Sequence, residues 1–311
     1  MKDCEKTIHN CAISCILGVK EDFLTPKRIP KNFYQYSALS TFRGVIEHND
    51  LWATHWAYLN DTKELKKGIK IAKFIHSDEI ITGYFKSYHS FGDFEKLISK
   101  LSKKQIINKT DAYVLCFSEE KDKLNLWQGY GNGYNSIVTA YDAAKIEASI
   151  EAVGFSIMGR VIYDEDTQKV MMLMFLGRFY LLTKEMYKRF PKQKENVKKL
   201  MSGYLAMGIL ILSLFMKEKH WKEEKEWRII YFYPNHNSLD FKETNKGFVP
   251  FLHIPLFKEH ALNCINGVRL PKSPDFDLKE KAIRMLWEKA CNENKIKRNL
   301  KVEQSSISIV Y

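Results

Sequence analysis

Residues 219–230 read Lys-His-Trp-Lys-Glu-Glu-Lys-Glu-Trp-Arg-Ile-Ile, with Glu224 and Glu226 two positions apart and Arg228 two further on. As a strand, this stretch turns Glu224, Glu226 and Arg228 to one face and Lys225, Trp227 and Ile229 to the other. Carboxylates so spaced lie roughly 7 Å apart. In a cleft their repulsion raises one pKa, which suits acid–base work or the stabilisation of developing positive charge. The competing reading pairs Glu226 with Arg228 as an ion pair on a sheet surface, with no chemistry attached.

Ser118 ends the run Leu-Cys-Phe-Ser and stands where a buried strand emerges. A serine there can orient a ribose or phosphate, or make a local backbone bond. No Gly-x-Ser-x-Gly elbow surrounds it, which argues against a serine hydrolase. The aromatic set Tyr34, Tyr36, Trp52, Trp127, Tyr130 and Tyr134 offers faces that stack on planar rings. Its tryptophans are expected in the core. The tyrosines beside Gly129, Gly131 and Gly133 are expected to border a ligand, because that loop is polar. Its Gly-Tyr-Gly-Asn-Gly is neither a dinucleotide nor a P-loop fingerprint.

No metal site is expected. The six cysteines contain no Cys-x-x-Cys pair, and His55, His220 and His253 have no ligand spacing. Cys11 and Cys15, near His9, read as a helix face that buries small thiols. Scattered cysteines fit a reducing, cytoplasmic setting.

These groups need a scaffold, and 311 residues, 45% of them hydrophobic, suffice to build a core. The net charge of +12 favours anionic partners such as nucleic acid, nucleotides or phosphates. Three apolar runs, Cys11–Val19, Val170–Leu182 and Leu205–Met216, are too short to span a bilayer, so no membrane partner is expected. Asp3 and Glu5 offset the nearby lysines and no small-residue cleavage pattern follows the first run, so it does not read as a signal peptide.

Periodicity predicts strands over 33–37, 51–56, 112–118, 136–141, 159–163, 226–233, 248–254, 264–269 and 306–311. It predicts helices over 40–48 (with Ser40 as N-cap), 62–76, 166–190, 194–219 and 278–292, and weakly patterned helix over 77–110. Turns are marked at Asn60-Asp61 and at Pro234–Ser238. The fold class is α+β: short strands in a mixed or antiparallel sheet. A helical lead-in over 1–32 precedes a single domain over 33–311, with a helical insert at about 165–220.

The order of motifs carries a resemblance. Tyr-Gln-Tyr-Ser-Ala-Leu (34–39), the Leu51–Glu64 segment with Asn60-Asp61, Cys-Phe-Ser followed by Trp127 and the glycine loop, and His220–Ile230 resemble the bacterial and phage-associated domain-of-unknown-function 2971 family. Ile265–Pro271 and Val302–Tyr311 extend the likeness to nearly the whole chain. A more distant resemblance is to the ADP-ribosyltransferase superfamily. It implies a first-strand ligand at Tyr34 or Tyr36, a middle-strand serine at Ser118, and a catalytic Glu-x-Glu at Glu224 and Glu226. The superfamily's Ser-Thr-Ser is here only Phe-Ser. The resemblance further implies NAD as substrate, Tyr130 or Tyr134 stacked on nicotinamide, and a nucleic-acid or protein acceptor, as in a toxin or antiviral defence effector. The alternative is a non-catalytic nucleic-acid- or protein-binding module of a bacterial defence system, using the basic surface.

Overall fold

The computed structural model describes residues 2–59, 64–77, 112–131, 133–150, 156–232, 239–244, 247–256 and 260–308. The readings at Asn60-Asp61, 78–110 and 233–238 lie outside them. The chain forms two compact units.

The sheet unit comprises residues 27–58, 112–158 and 224–311. Its elements are β1 (Asn32–Ala38), α2 (Leu39–His48), β2 (Asp50–His55), β3 (Ala112–Ser118), α4 (Leu124–Tyr130), β4 (Ser136–Asp142), α5 (Ala143–Ile150) and β6 (Glu226–Phe232). β7 (Leu239–Thr244), β8 (Gly247–Pro255), β9 (Ile265–Leu270), α8 (Phe276–Glu293) and β10 (Val302–Gln304) complete it. β5 (Ser156–Arg160), whose first three residues belong to this unit, pairs with β6.

β3 and β6 are the centre of the sheet. Ala-Tyr-Val-Leu-Cys-Phe-Ser and Glu-Trp-Arg-Ile-Ile-Tyr-Phe are rich in aromatic and β-branched residues and are buried on both faces. They pair antiparallel along their full length, from Ala112↔Phe232 to Ser118↔Glu226. The other edge of β3 is shared. β2 meets its start at Thr54↔Val114 and His55↔Tyr113, and β1 meets its end at Tyr34↔Ser118. The sheet therefore divides at β3 into one arm running β1-β4-β9-β10 and another running β2-β8-β7. The β9–β10 pair is parallel, and the β1–β3, β1–β4, β2–β3, β2–β8, β3–β6, β4–β9 and β7–β8 pairs are antiparallel, so the sheet is mixed.

One face carries the core. Phe33, Leu51, Ala53, Tyr113, Leu115, Phe117, Trp227 and Ile229 pack there with Phe42, Val45 and Ile46 of α2 and Ile283 and Trp287 of α8. Phe33 ties β1 to the centre, stacking on Phe117 with centroids 5.2 Å apart and tilting on Trp227 at 5.1 Å. Because strand side chains alternate, the even-numbered residues of β3 and β6 face the opposite way.

Some predicted ends moved for local reasons. α2 begins at Leu39 with Ala38, not Ser40, at its cap. No side chain caps it, and the first of its orphan donors, the Leu39 N–H, bonds the Asn135 carbonyl. α2 stops at Asn49, whose left-handed φ of 56° is one that asparagine tolerates. The last described strand is Val302–Gln304, and Ser306, which the sequence reading began a strand with, turns its N–H and hydroxyl onto the Asp122 carboxylate instead. Residues 309–311 lie outside the described residues. β7 has no counterpart in the sequence reading.

The helical unit comprises residues 1–26, 59–111 and 159–223. Its described helices are α1 (Lys2–Phe23), α3 (Glu64–Ser77), α6 (Glu165–Arg189) and α7 (Lys194–Ser213). The helices read as an insert at 165–220 thus pack with the N-terminal helix and α3. Asp164 caps α6 by accepting from the Thr167 N–H at 2.8 Å. Gln168 is fully buried, and its amide donates to the carbonyls of Ile162 and Lys217 at 2.6 and 2.9 Å. Among the described residues, no helix is long and apolar enough to cross a membrane.

Candidate functional site

Tyr34, Ser118 and Glu226 stand opposite one another across three adjacent strands, β1, β3 and β6. Directly opposed residues of an antiparallel pair point to the same face. Here that is the face away from the core, since Phe33, Phe117 and Trp227 belong to the core cluster.

Glu226 is not a free carboxylate. Arg228, next on the same face, donates from Nε and Nη2 to its two oxygens at 2.8 and 2.9 Å. Both residues are buried, at 6% and 1% exposure. Of the two readings open in the sequence, the ion pair is present. It is a buried fork-to-fork pair, not an exposed surface one.

Glu224 departs from the expected strand. It ends a 3₁₀ turn, Lys219–Glu224, and β6 starts only at Glu226. Between them Lys225 takes φ 42°, a left-handed conformation that costs a non-glycine residue roughly 1–2 kcal/mol. Contacts on both sides hold it. Ser118 Oγ donates to the Glu224 carbonyl at 2.6 Å, and the Glu119 N–H donates to the Lys225 carbonyl at 3.2 Å. Lys225 Nζ lies 2.5 Å from a Glu120 oxygen, and Trp227 Nε1 donates to Glu119 at 2.7 Å.

The Glu224 side chain is buried at 2% exposure and accepts from Tyr130 Oη at 3.0 Å. Burial, followed by the Glu226 and Glu224 carboxylates, pushes the Tyr130 hydroxyl well above its ordinary pKa. Tyr130 is therefore a fixed neutral donor. Ser118 Oγ also accepts from the Glu120 N–H at 2.9 Å, so its hydroxyl is occupied in positioning backbone.

The other tyrosines are placed differently. Tyr36 is 9% exposed and meets the buried Trp127 edge-on at 5.3 Å. Its hydroxyl donates to the Glu120 carbonyl at 2.9 Å and accepts from the Lys123 N–H at 3.0 Å, tying down the loop before α4. Burial holds the Tyr36 hydroxyl protonated. Tyr134 is 42% exposed, with the Lys279 ammonium 5.5 Å from its ring centre. The structure thus gathers Tyr34, Ser118, Glu224, Glu226 and Tyr130, makes Tyr36 part of the support, and sets Tyr134 beside α8.

The same loop is anchored by Asp122. Its carboxylate accepts from Trp127 Nε1 at 2.8 Å, from Ser305 Oγ at 2.7 Å and from the Ser306 N–H at 2.9 Å. Burial would raise the Asp122 pKa. The Ser305, Trp127 and Ser306 donors outweigh it and hold the carboxyl below its ordinary range.

Residues that the sequence reading passed over share this face. Cys116 lies opposite Arg228, and Lys242 of β7 donates to Thr54 Oγ1 at 3.1 Å. His253, read as having no ligand role, has Nδ1 2.5 Å from Asp50 and Nε2 3.3 Å from Asp240. Trp52 donates to the same Asp50 at 2.9 Å and stacks on Phe251 at 4.5 Å, so this set braces β2, β8 and β7. Cys116 could have been found, since it precedes Ser118 by two on one strand. Lys242 carried no signal, because its segment is too polar to read as a strand. Among the described residues, no cluster of three or more His, Cys, Asp and Glu could hold a metal ion.

No curated protein and no solved structure matches the chain. Residues 126–229, which include Tyr130, Glu224, Glu226 and Arg228, match the model of the family described as "Protein of unknown function (DUF2971)", in keeping with the motif resemblance over that stretch.

Proposed function

We propose that this protein is an NAD-dependent ADP-ribosyltransferase-like enzyme, modifying a nucleic acid or protein and acting as a toxin or anti-phage effector. One observation carries this reading: Tyr34, Ser118 and Glu226 lie in a single row across three adjacent strands, with Glu224 and Tyr130 beside them. Those are the three strand positions at which the distant resemblance calls for a ligand, a serine and a glutamate.

The residues present suit a dinucleotide's ribose. Carboxylate oxygens accept from sugar hydroxyls, and the Tyr34 ring, half-buried on the same face, is a surface for a planar base. NAD supplies a ribosyl–nitrogen bond whose cleavage builds positive charge on the sugar. Glu226 faces that charge with an orientation fixed by Arg228, so little reorganisation is needed as it develops. Glu224, oriented by Tyr130, takes the proton of the attacking acceptor group. Ser118 acts through the backbone, holding the Glu224 carbonyl.

The Glu226–Arg228 pair favours a second reading. A buried bidentate pair is also what a purely structural brace looks like, and a non-catalytic nucleic-acid- or protein-binding module would need no more. The test is incubation of the purified protein with NAD, with nucleic-acid and protein acceptors present and absent, and chromatographic measurement of nicotinamide. Release above a Glu224→Gln, Glu226→Gln double variant supports the enzyme. No release under any condition hands the site to the binding module.

A further inference from the structure

We propose that Lys242, steadied by Thr54, is the anion-binding half of this site and takes the diphosphate of a dinucleotide whose ribose lies at Glu224 and Glu226. The inference rests on the NAD reading for the identity of the ligand. Its structural basis is separate from the row of Tyr34, Ser118 and Glu226.

Alternation along the strands puts Lys242 on the site's face. Leu239 packs against the core cluster, so Lys242, three residues on, points the other way. Thr54 follows the core residue Ala53, and Cys116 lies between the core residues Leu115 and Phe117, so both face with Lys242. The Lys242 side chain crosses β8 to reach Thr54 Oγ1 at 3.1 Å. Thr54 stands opposite Val114, two residues before Cys116, and Cys116 stands opposite Arg228. Cys116, on β3, thus stands between Thr54 on β2 and Arg228 on β6. Neighbouring strands lie about 4.8 Å apart, and Glu226 faces Ser118, four residues along β3 from the Val114 that faces Thr54, which puts the ammonium on the order of 15 Å from the Glu226 carboxylate. That is the scale of a dinucleotide.

The charges on this face make Lys242 the exception. Arg228 is held by Glu226, and His253 lies between Asp50 and Asp240. Among the described residues no carboxylate pairs with Lys242, and its hydrogen-bond partner is a neutral hydroxyl. Burial pushes its pKa down, the mark of an ammonium taken from water without a compensating anion. A phosphate would supply that anion, with Thr54 positioning the amine. Arg228 cannot serve without giving up Glu226.

The test uses the full chain and needs no turnover. Calorimetry measures binding of inorganic pyrophosphate, NAD and the phosphate-free nicotinamide riboside to wild type, Lys242→Met, Lys242→Arg and Thr54→Val. In the wild type, protection of Lys242 from acylation by an activated ester is followed by mass spectrometry. The expectation is that pyrophosphate and NAD protect Lys242, and that Lys242→Met weakens both by about tenfold to a hundredfold, the range of a charge-assisted hydrogen bond. Lys242→Arg should retain much of the binding, and the riboside should be indifferent to all three variants. Affinity should fall as pH rises through the depressed Lys242 pKa. Wild type that binds neither pyrophosphate nor NAD, equal binding by Lys242→Met, or undiminished acylation with ligand present overturns the assignment. NAD turnover that ignores Lys242 would leave the proposed enzyme standing without this anchor. Lys242-dependent binding with no nicotinamide release would leave the anchor and remove the enzyme.

Discussion

Ser118 stands directly opposite Glu226 across β3 and β6, yet its hydroxyl reaches past it to the carbonyl of Glu224. One side chain thus fixes the strand start and the turn before it. Ser118→Ala strips a donor from the buried Glu224 carbonyl and an acceptor from the part-buried Glu120 N–H. The expected cost is about 1–3 kcal/mol of stability by chemical denaturation. If the site is catalytic, turnover should fall as well, and Ser118→Thr should restore more of both than alanine does.

Glu226 and Arg228 should behave as a unit. Removing either partner of a buried pair leaves an uncompensated group and typically costs about 3–5 kcal/mol. Glu226→Gln and Arg228→Met are each expected to destabilise on that scale, and the double variant by less than their sum. A double-mutant cycle with no coupling would deny the pair. Nicotinamide release by any variant that remains folded then separates an essential carboxylate from a brace.

Asp122 sets an acid limit. Its folded-state pKa lies below the ordinary carboxylate value, so its contribution is complete above that value and is lost as pH falls through the depressed one. Acid titration followed by tryptophan fluorescence should show Trp127, whose indole N–H donates to Asp122, changing as stability drops below about pH 4. Asp122→Asn should flatten that dependence and weaken the protein at neutral pH by about 1–3 kcal/mol.

Two glycines make a matched pair. A Cβ on Gly44 would lie 2.2 Å from the Trp52 ring, the ring that stacks on Phe251 and holds Asp50. Gly44→Ala should cost about 1–3 kcal/mol through overpacking. A Cβ on Gly129, inside α4, would meet nothing within 4 Å among the described residues. Gly129→Ala should therefore stabilise, by roughly 0.5–1 kcal/mol from helix preference alone. Thermal melts of the two variants should shift in opposite directions.

What the sequence made legible follows from where burial is two-sided. β3 was readable to the residue, since Ala112–Ser118 is an unbroken apolar and aromatic run closed by a polar side chain. That run also placed Ser118 at a strand end. Glu224 was misplaced because nothing about a lysine announces the positive φ of Lys225, which tertiary bonds impose from outside the segment. β7 went unseen because Leu-Asp-Phe-Lys-Glu-Thr is a polar edge strand, held by its pairing with β8 more than by its own preference. The choice between two acidic neighbours and an ion pair could not be made from spacing, because it turns on the depth at which Arg228 is buried.

The forked position of β3 also orders the events of folding. Its long partner, β6, follows only after α6 and α7, and the bond from Ser118 to Glu224 spans 106 residues of chain. Contacts so distant in sequence must close large loops before any stability is gained, which makes them slow to form. During synthesis β3 leaves the ribosome long before β6 exists, presenting a hydrophobic strand with one side unpaired. A nascent chain halted between residues 118 and 226 would carry that adhesive edge, and chaperone binding should peak over that interval.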